Sequence, residues 1–421
     1  MQTDVLVIGA GLAGLVAGWQ AASRGRRTQV IAKGWGITHW HSGCLDVLGY
    51  YPPESPEAVR SPAEGLAQLI EANPGHPYAL AGLDAIGEAL DAFQQLCAAA
   101  GYPMHGSMER NWLLPSAIGA LRPTCLAPET MIAGDLGQRQ PMLIAGFETF
   151  RDFYADLVAD NLSAQQFPAR AVTLDVPTLR RRRTLTGVIL ADLFEAPEFR
   201  AEVVEAIQPR LGDAARIGFP AVLGLRQPLG VKHDLEERLG RPVFEIPSLP
   251  PSVPGMRLHR LLVAAIEQAG GRVYEGMQVV AADADDGRVT AVWSEAAARR
   301  KRHQANAYVL ATGGVLGGGL VAEADGRVRE VILDLPVAAP PDRSQWFRRD
   351  FLDPAGHPIY RAGLTVDRSF QPLNGTGQPA YSNLLAAGAT LADCDVLRER
   401  SLEGVAVVTG YLAGRRAAEL T

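Results

Sequence analysis

Three glycines near the start of the chain have the spacing of a phosphate-binding turn. Gly9, Gly11 and Gly14 follow a short apolar run and precede a stretch with helical spacing. In this pattern the first glycine permits a tight turn, the second lets a pyrophosphate approach the backbone, and the third lets helix and strand pack closely. The helix N-terminus adds unpaired N–H groups and its positive dipole end. The predicted cofactor-binding residues of this turn are Gly9, Ala10, Gly11, Leu12, Ala13 and Gly14.

Two later segments predict further turns at the same crevice. Residues 311–314, with the sequence Ala-Thr-Gly-Gly, end a second apolar run, and residues 363–367 precede a strand-like segment at 383–388. Because ligands of open α/β sheets bind where the strands end, these turns and the N-terminal glycines favour a flavoprotein over a simple NAD dehydrogenase. The residues expected to contact the cofactor at these turns are Thr312, Gly313, Gly314, Asp367 and Gly388.

The acidic residue that usually ends the second strand of such a fold is missing. It normally holds the ribose hydroxyls of adenosine, but the position is occupied by Ala32, followed by Lys33 and Gly34. Either an ADP moiety is held by other contacts, or the cofactor is FMN, which has no second ribose. On this ground the sequence favours FMN over FAD, with Lys33 and Gly34 among the cofactor-binding residues.

Candidate catalytic residues are His41, Arg257 and His259. His41 lies in a Gly- and Ser-rich loop, and a histidine can take the proton of an alcohol as a hydride leaves for a flavin. Arg257 follows a Pro-rich turn, where its guanidinium could bind a substrate phosphate, although a plain ion pair fits equally well. His259 is a further candidate by the same argument. Three other residues of the Gly- and Ser-rich loop are expected to contact the flavin, namely Thr38, Ser42 and Gly43.

The elements that must position these residues alternate between strands and helices. The N-terminus predicts a strand at 3–8, a helix at 12–22 and a strand at 28–32, and residues 135–252 have an α/β alternation of their own. The fold class is therefore α/β, a Rossmann-like FAD/NAD(P)-binding flavoprotein fold with an inserted α/β capping domain. We expect a flavin-binding domain of 1–134 and 253–421 and a capping or substrate domain of 135–252.

Several further segments carry local predictions. Within the inserted region, the sequence predicts strands at 142–147 and 243–246 and a helix at 149–160. Four prolines in residues 247–254 predict a turn that excludes both helix and sheet. The basic run at 299–302 is expected to be a solvated loop.

Composition excludes several classes of function. The 421 residues carry 40 basic and 46 acidic side chains, a net charge of −6, which gives no basic field for nucleic acid. The four cysteines form no Cys-x-x-Cys pair, so we expect no metal site or iron–sulfur cluster and a reducing compartment. No run reaches the roughly 20 apolar residues of a membrane span. We expect a cytoplasmic protein that contacts the inner face of the cell membrane only through a partner.

The order of these motifs resembles the fumarate reductase and succinate dehydrogenase type of flavin-binding fold. Residues 41–48, 249–258 and 318–323 are further similar to the B subunit of the anaerobic glycerol-3-phosphate dehydrogenases, and the resemblance spans nearly the whole chain. The family usually carries a glycine-rich run before its last helix, whereas residues 398–404 keep only Gly404.

This resemblance implies a flavin-dependent enzyme that oxidises sn-glycerol 3-phosphate to dihydroxyacetone phosphate. It also implies that the flavin is the mononucleotide. It implies two partners, an FAD-containing A subunit together with an iron–sulfur, membrane-anchoring subunit, and quinone as the indirect electron acceptor. Two alternatives remain open from the sequence. One is a stand-alone flavin reductase or dehydrogenase of another small acid, and the other is an electron-transfer subunit that holds flavin without substrate chemistry of its own.

Overall fold

The computed structural model describes residues 3–180, 182, 184–297 and 299–421. They form two compact units. Unit 1 comprises Met1–Ile37, Asp46–Leu96 and His259–Thr421, and unit 2 comprises Thr38–Leu45 and Cys97–Leu258. The domain boundaries drawn from the sequence stay a prediction, because compactness alone does not show which segments fold independently.

Helices and strands alternate along much of the described chain. The α-helices are α1 (Leu12–Ser23), α2 (Pro62–Ala72), α3 (Pro77–Ala81), α4 (Leu83–Ala99), α5 (Glu129–Ile132), α6 (Ala155–Ala164), α7 (Gly187–Phe194), α8 (Pro197–Ile207), α9 (Pro228–Leu239), α10 (Val253–Gln268) and α11 (Leu402–Glu419). The strands of the first half are β1 (Thr3–Ile8), β2 (Thr28–Ile31), β3 (Met104–Gly106), β4 (Trp112–Pro115), β5 (Leu121–Thr124), β6 (Leu126–Pro128), β7 (Met142–Phe147), β8 (Ala169–Leu174), β9 (Arg216–Pro220) and β10 (Val243–Ile246). The later strands are β11 (Arg272–Tyr274), β12 (Gln278–Asp285), β13 (Arg288–Ala296), β14 (Arg299–His303), β15 (Ala305–Leu310), β16 (Leu320–Ala322), β17 (Val328–Glu330), β18 (Val337–Ala338), β19 (Gly363–Leu364) and β20 (Leu384–Ala386).

A parallel sheet with the strand order β11-β2-β1-β15-β20 is the centre of unit 1. Its middle strand β1 is apolar throughout Val5–Ile8 because both faces of a parallel sheet are covered, and Val5, Leu6 and Val7 are fully buried. Parallel strands bring their carboxyl ends to one edge. The turns after β1, β15 and β20 therefore lie at the same edge, as the sequence predicts.

Helices α1 and α11 of unit 1 approach each other through glycines. A Cβ atom at Gly410 would lie 2.4 Å from the carbonyl oxygen of Ala13, and one at Gly414 would lie 2.4 Å from that of Ala17. Real Cβ atoms do not reach such distances, so glycine at these α11 positions allows the two backbones to touch. This contact fixes the helix that begins at the glycine turn.

Unit 2 is built on a second parallel sheet, with the order β10-β9-β7-β8. Its apolar core includes Phe147, Phe194 and Phe219, whose rings pack within 6.0 to 6.5 Å of one another. The strands predicted at 142–147 and 243–246 are confirmed with the same bounds.

Three local predictions are wrong. The helix expected at 149–160 begins only at Ala155. The Pro-rich segment was expected to exclude helix, yet α10 starts at Val253, since a proline in a first helical turn loses no hydrogen bond. The basic run at 299–302 is strand β14, which pairs with β13. Arg300 and Arg302 form ion pairs with carboxylates on the other two strands of this sheet, Glu295 on β13 and Asp283 on β12.

Membrane spans and metal clusters are both missing from the described part of the chain. Among these residues, no helix combines the length and apolar character needed to cross a bilayer. Nor do their His, Cys, Asp and Glu side chains gather in groups of three as metal ligands would. The four cysteines are buried.

Candidate flavin site

The turn after β1 requires glycine at two positions. Gly9 has a φ of +114°, and a Cβ atom there would lie 2.2 Å from the carbonyl oxygen of Ala311. A Cβ atom at Gly14 would lie 2.0 Å from the carbonyl oxygen of Gly9. Any larger residue at either position would displace backbone. These two glycines therefore hold the start of α1 against the end of β15.

Gly11 differs from its neighbours because it faces open space. It is the N-cap of α1 and makes no side-chain capping bond, and a Cβ atom there would meet no described atom within 4 Å beyond its chain neighbours. The first-turn N–H groups of α1 have no intrahelical acceptor, and the space beside Gly11 at this helix end is open. This is the arrangement a nucleotide pyrophosphate needs, so the turn fits a flavin nucleotide. Ala10, Leu12 and Ala13 are buried around it.

The turns after β15 and β20 pack beside this one. A Cβ atom at Gly314 would lie 2.3 Å from the carbonyl oxygen of Ala389. The N–H of Gly388, whose φ is +80°, donates to Oγ1 of Thr409 at 2.8 Å, and a Cβ atom at Gly388 would lie 2.7 Å from that of Ala13. Three segments far apart in sequence are thereby brought to one edge of the sheet.

Two buried hydroxyl groups at this edge have no hydrogen-bond partner among the described residues. They are Oγ1 of Thr312, beside Gly313 after β15, and Oγ1 of Thr390, in the turn after β20. A buried hydroxyl without a partner is costly, and such groups in native proteins usually meet a ligand or water. Their location fits a bound cofactor at this edge.

The end of β2 has no acidic side chain, as the sequence indicates. Ala32 is 4% exposed, its N–H donates to the carbonyl oxygen of Tyr274 and its own carbonyl accepts from Met277, each at 2.9 Å. Lys33 and Gly34 follow and are exposed. Their cofactor contacts stay a prediction.

The side chain of Asp367 stabilises its own turn. Its Oδ1 accepts hydrogen bonds from the backbone N–H groups of Ser369 and Gln371 at 2.8 and 2.9 Å. This closes the turn after β19. A contact between Asp367 and the cofactor stays a prediction.

The segment before α11 anchors the helix within unit 1. A Cβ atom at Gly404 would lie 2.2 Å from the hydroxyl of Tyr78, so this glycine serves close packing. The buried Glu399 accepts hydrogen bonds from Nε2 of His76 at 3.1 Å and from the Ser401 hydroxyl at 2.9 Å. Side chains thus stabilise this segment.

In unit 2, the His-containing loop is held by the Pro-rich segment. The N–H of Ser252 donates to the carbonyl oxygen of His39 at 2.7 Å, and the Ser252 hydroxyl donates to the carbonyl oxygen of His41. The same hydroxyl accepts from the N–H of Gly255 at 3.0 Å. Residues 41–48 and 249–258, two of the segments that carry the family resemblance, are therefore in contact through His41 and Ser252.

The other predicted flavin contacts of this loop are also buried. Gly43 has a φ of +92°, and a Cβ atom there would lie 2.4 Å from that of Pro254. Ser42 accepts a hydrogen bond from the N–H of Cys44 at 3.2 Å. Thr38 is 2% exposed, and its Oγ1 has no hydrogen-bond partner within the described residues. The flavin contacts expected of Thr38, Ser42 and Gly43 stay a prediction.

His41 is held in one tautomer by its neighbour. Its Nδ1 accepts the backbone N–H of Gly43 at 2.9 Å, so the proton of the neutral ring lies on Nε2. To accept a proton at Nδ1, the ring would have to give up this bond. The general-base role expected of His41 stays a prediction.

Arg257 is a buried ion-pair partner. Its Nη1 and Nη2 donate to Glu245 at 2.6 and 2.9 Å, and its Nε donates to the carbonyl oxygen of Gly224 at 2.9 Å. Burial alone would lower the pKa of Arg257, but the Glu245 carboxylate raises it. The arginine is therefore permanently charged and engaged within the protein, and a phosphate would have to compete with Glu245 for it.

His259 belongs to a small cluster in unit 1. Its ring stacks on Trp35 with centroids 4.5 Å apart, and its Nε2 lies 3.1 Å from Oε1 of Glu275. Burial lowers the pKa of His259, against the opposing effect of the Glu275 charge. His259 thus contacts Trp35 and, at the end of β11, Glu275.

Sequence reasoning missed Glu245, Glu275 and Thr409. Glu245 and Thr409 lie inside regular elements and carry no motif. Glu275 directly follows a strand, and an acidic residue at the carboxyl end of a parallel strand is a signal that could have identified it.

The sheet and its glycine-lined edge define an FAD/NAD(P)-binding flavoprotein of the Rossmann-like type. In agreement, residues 4–401 match the family model described as an FAD binding domain. This description supports the predicted flavin and favours FAD over FMN.

A protein from Halobacterium salinarum, named as the probable B subunit of an anaerobic glycerol-3-phosphate dehydrogenase, is 37% identical, and the match covers 100% of this chain and 98% of the relative. The B subunit of the anaerobic glycerol-3-phosphate dehydrogenase of Pectobacterium carotovorum is 33% identical, covering 97% of each chain. The chain belongs to this family of B subunits, which confirms the resemblance.

A solved structure of 3-ketosteroid delta1-dehydrogenase from Sterolibacterium denitrificans aligns over the whole of both chains with 12% identity and a TM-score of 0.47. The likeness is remote, and the fold assignment rests on the sheet described above and on the family model.

Proposed function

We propose that this chain oxidises sn-glycerol 3-phosphate to dihydroxyacetone phosphate as the flavin-holding B subunit of a quinone-linked dehydrogenase complex. The observation that carries this proposal is the 37% identity, over the full length of the chain, to a relative named as that subunit. The glycine turn of unit 1 supports it, because the open space at Gly11 suits a nucleotide phosphate.

The cofactor we propose is FAD. The family description supports it, whereas the missing acidic residue after β2 favoured FMN. Residues that would hold it are the turn at Gly9–Gly14, the hydroxyls of Thr312 and Thr390, and Gly388. Bound flavin supplies the hydride acceptor for alcohol oxidation.

The chain's own contribution to the reaction is to orient the alcohol and to receive its proton. His41 is our candidate for the proton, because a positioned histidine suits this transfer near neutral pH. Its loop is fixed by Ser252, whose hydroxyl donates to the carbonyl of His41 and accepts from Gly255. The transfer to Nδ1 requires the bond from Gly43 to open first.

The partners we propose are those of the named complex, an FAD-containing A subunit together with an iron–sulfur subunit that anchors the assembly at the inner face of the membrane. The support is that the relatives are named as the B subunit of an anaerobic glycerol-3-phosphate dehydrogenase, a name that implies further subunits. Copurification of the full chain with neighbouring gene products would test the assembly.

Anaerobic stopped-flow mixing tests the activity. The purified full chain, alone and in its complex, is mixed with glycerol 3-phosphate, and bleaching of the flavin absorbance is followed. We expect reduction by glycerol 3-phosphate and none by glycerol. Flavin that dithionite reduces but glycerol 3-phosphate does not, in the chain and in the complex alike, would refute the proposal.

A second candidate function is electron transfer without substrate chemistry. The observation in its favour is that Arg257, the arginine expected to bind the substrate phosphate, is already paired with Glu245. In that case the same experiment would show reduction of this chain's flavin only when the partner subunit is present and competent.

A further inference from the structure

The carboxyl end of β11 lies beside the position where the adenosine-binding acid is missing. Strands β11 and β2 are parallel neighbours, and Tyr274 is paired with Ile31. The residue that follows β11 is Glu275, and the residue that follows β2 is Ala32. Since neighbouring strands are about 4.8 Å apart, Glu275 is displaced from the expected position of the acid by one strand width.

Backbone bonds fix this arrangement. The N–H of Ala32 donates to the carbonyl oxygen of Tyr274, and the N–H of Met277 donates to the carbonyl oxygen of Ala32, both at 2.9 Å. Glu275 lies between these two anchoring residues, so its Cα cannot move away from the end of β2. The edge strand thus presents a carboxylate where β2 presents only Ala32.

The Glu275 carboxylate is oriented and still open to a ligand. Trp35 donates its indole N–H to Oε2 at 2.7 Å, and Nε2 of His259 lies 3.1 Å from Oε1. The Glu275 side chain is 38% exposed, whereas that of His259 is 5% exposed. A carboxylate has about four acceptor sites, so two such neighbours leave capacity for two hydroxyl donors.

We propose that Glu275 binds the ribose hydroxyls of the adenosine half of FAD, in place of the acidic residue missing after β2. The inference rests on the proposed function, in which the cofactor is FAD. It explains how a chain with Ala32 at the usual position belongs to an FAD-binding family. Trp35 and His259 act as positioning residues for the carboxylate.

The test compares two flavins on the full-length chain stripped of flavin. FAD and FMN are titrated into the wild type, Glu275→Ala and Glu275→Gln, and the dissociation constants are measured by fluorescence. A hydrogen bond to a charged group contributes enough that we expect Glu275→Ala to weaken FAD binding about 10- to 100-fold. FMN lacks the adenosine ribose, so its affinity should stay unchanged. Glu267→Gln, at an exposed position of α10, is the matched control and should bind both flavins like the wild type.

An analogue of FAD with a 2′-deoxyadenosine provides a chemical control. The wild type should bind it more weakly than FAD, and Glu275→Ala should bind the two alike. Unchanged FAD affinity in both Glu275 variants would overturn the inference, and so would an equal loss for FAD and FMN. A wild type that binds FMN but not FAD would instead show that the proposed cofactor is wrong. Circular dichroism of each stripped protein establishes that it is folded.

Discussion

Replacing Arg257 by alanine distinguishes a structural arginine from a substrate-binding one. The side chains of Arg257 and Glu245 are 3% and 0% exposed, and two guanidinium nitrogens face the carboxylate. Removing one partner of a buried pair leaves the other charge uncompensated, which costs about 3–5 kcal/mol. Because a typical protein is stable by about 5–15 kcal/mol, this loss would be large. We therefore expect Arg257→Ala to unfold at markedly lower temperature and urea concentration.

The assay combines unfolding with kinetics. Urea unfolding and thermal melting measure stability, and the KM for glycerol 3-phosphate measures substrate binding in the assembled complex. Arg226→Ala breaks an exposed pair with Asp192, with side chains 60% and 63% exposed, and should change stability little. The double variant Glu245→Leu/Arg257→Met should recover much of the loss, because an apolar pair of similar volume replaces the buried charges. An Arg257→Ala protein as stable as the wild type but with a strongly raised KM would refute the structural role.

Three further predictions concern the cofactor turn, the candidate base and acid stability. Gly11→Val should fold normally but lose flavin, which is measured as the flavin released per chain. Gly14→Val should instead lower the unfolding temperature, because the valine side chain would clash with backbone atoms. His41→Gln should still bind a flavin that dithionite reduces, but reduction of this flavin by glycerol 3-phosphate should be slower by roughly 10²- to 10⁴-fold. Reduction by glycerol 3-phosphate at the wild-type rate would exclude His41 as the base. Burial raises the pKa of Glu399, but the hydrogen bond from His76 and further bonds outweigh it and hold the pKa below its ordinary 4.5. The ionised Glu399 thus stabilises the fold above about pH 4.5, and this stabilisation is lost as the pH falls through the lower folded-state pKa. The difference in unfolding free energy between wild type and Glu399→Gln, measured by urea unfolding, should therefore shrink in acid. A difference that does not change with pH would contradict the assignment.

The cofactor turn could be predicted because it is a property of the backbone. The positive φ of Gly9 and the close approach of Gly14 to it are local demands that only glycine meets, and they appear in the sequence as a fixed spacing. The buried strand β1 is equally visible, since a strand covered on both faces must be apolar throughout. For the same reason the bounds of β1 agree with the prediction.

Basic segments were harder to interpret, because the sequence does not show what lies opposite a side chain. Residues 299–302 carry four charges and no apolar alternation, which favours a loop. They form β14 because β13 offers an edge to pair with, and because Glu295 and Asp283 lie within reach of Arg300 and Arg302. An exposed edge strand needs no apolar face of its own.

The same reasoning explains why the catalytic residues are the weakest part of the sequence interpretation. The spacing of Arg257 after a Pro-rich turn suggested a phosphate ligand, but a guanidinium binds whichever acceptor the fold brings to it, and in this protein Glu245 and the carbonyl of Gly224 come from other elements. Similarly, the sequence has no acidic residue at Ala32, which suggested FMN because the sequence does not show which strand lies beside β2. Once β11 is placed beside β2, the carboxylate of Glu275 lies next to the deficient position. A ligand-binding role therefore belongs to a location at the carboxyl ends of the strands. Which residue of the sequence occupies that location depends on the order of the strands in the sheet.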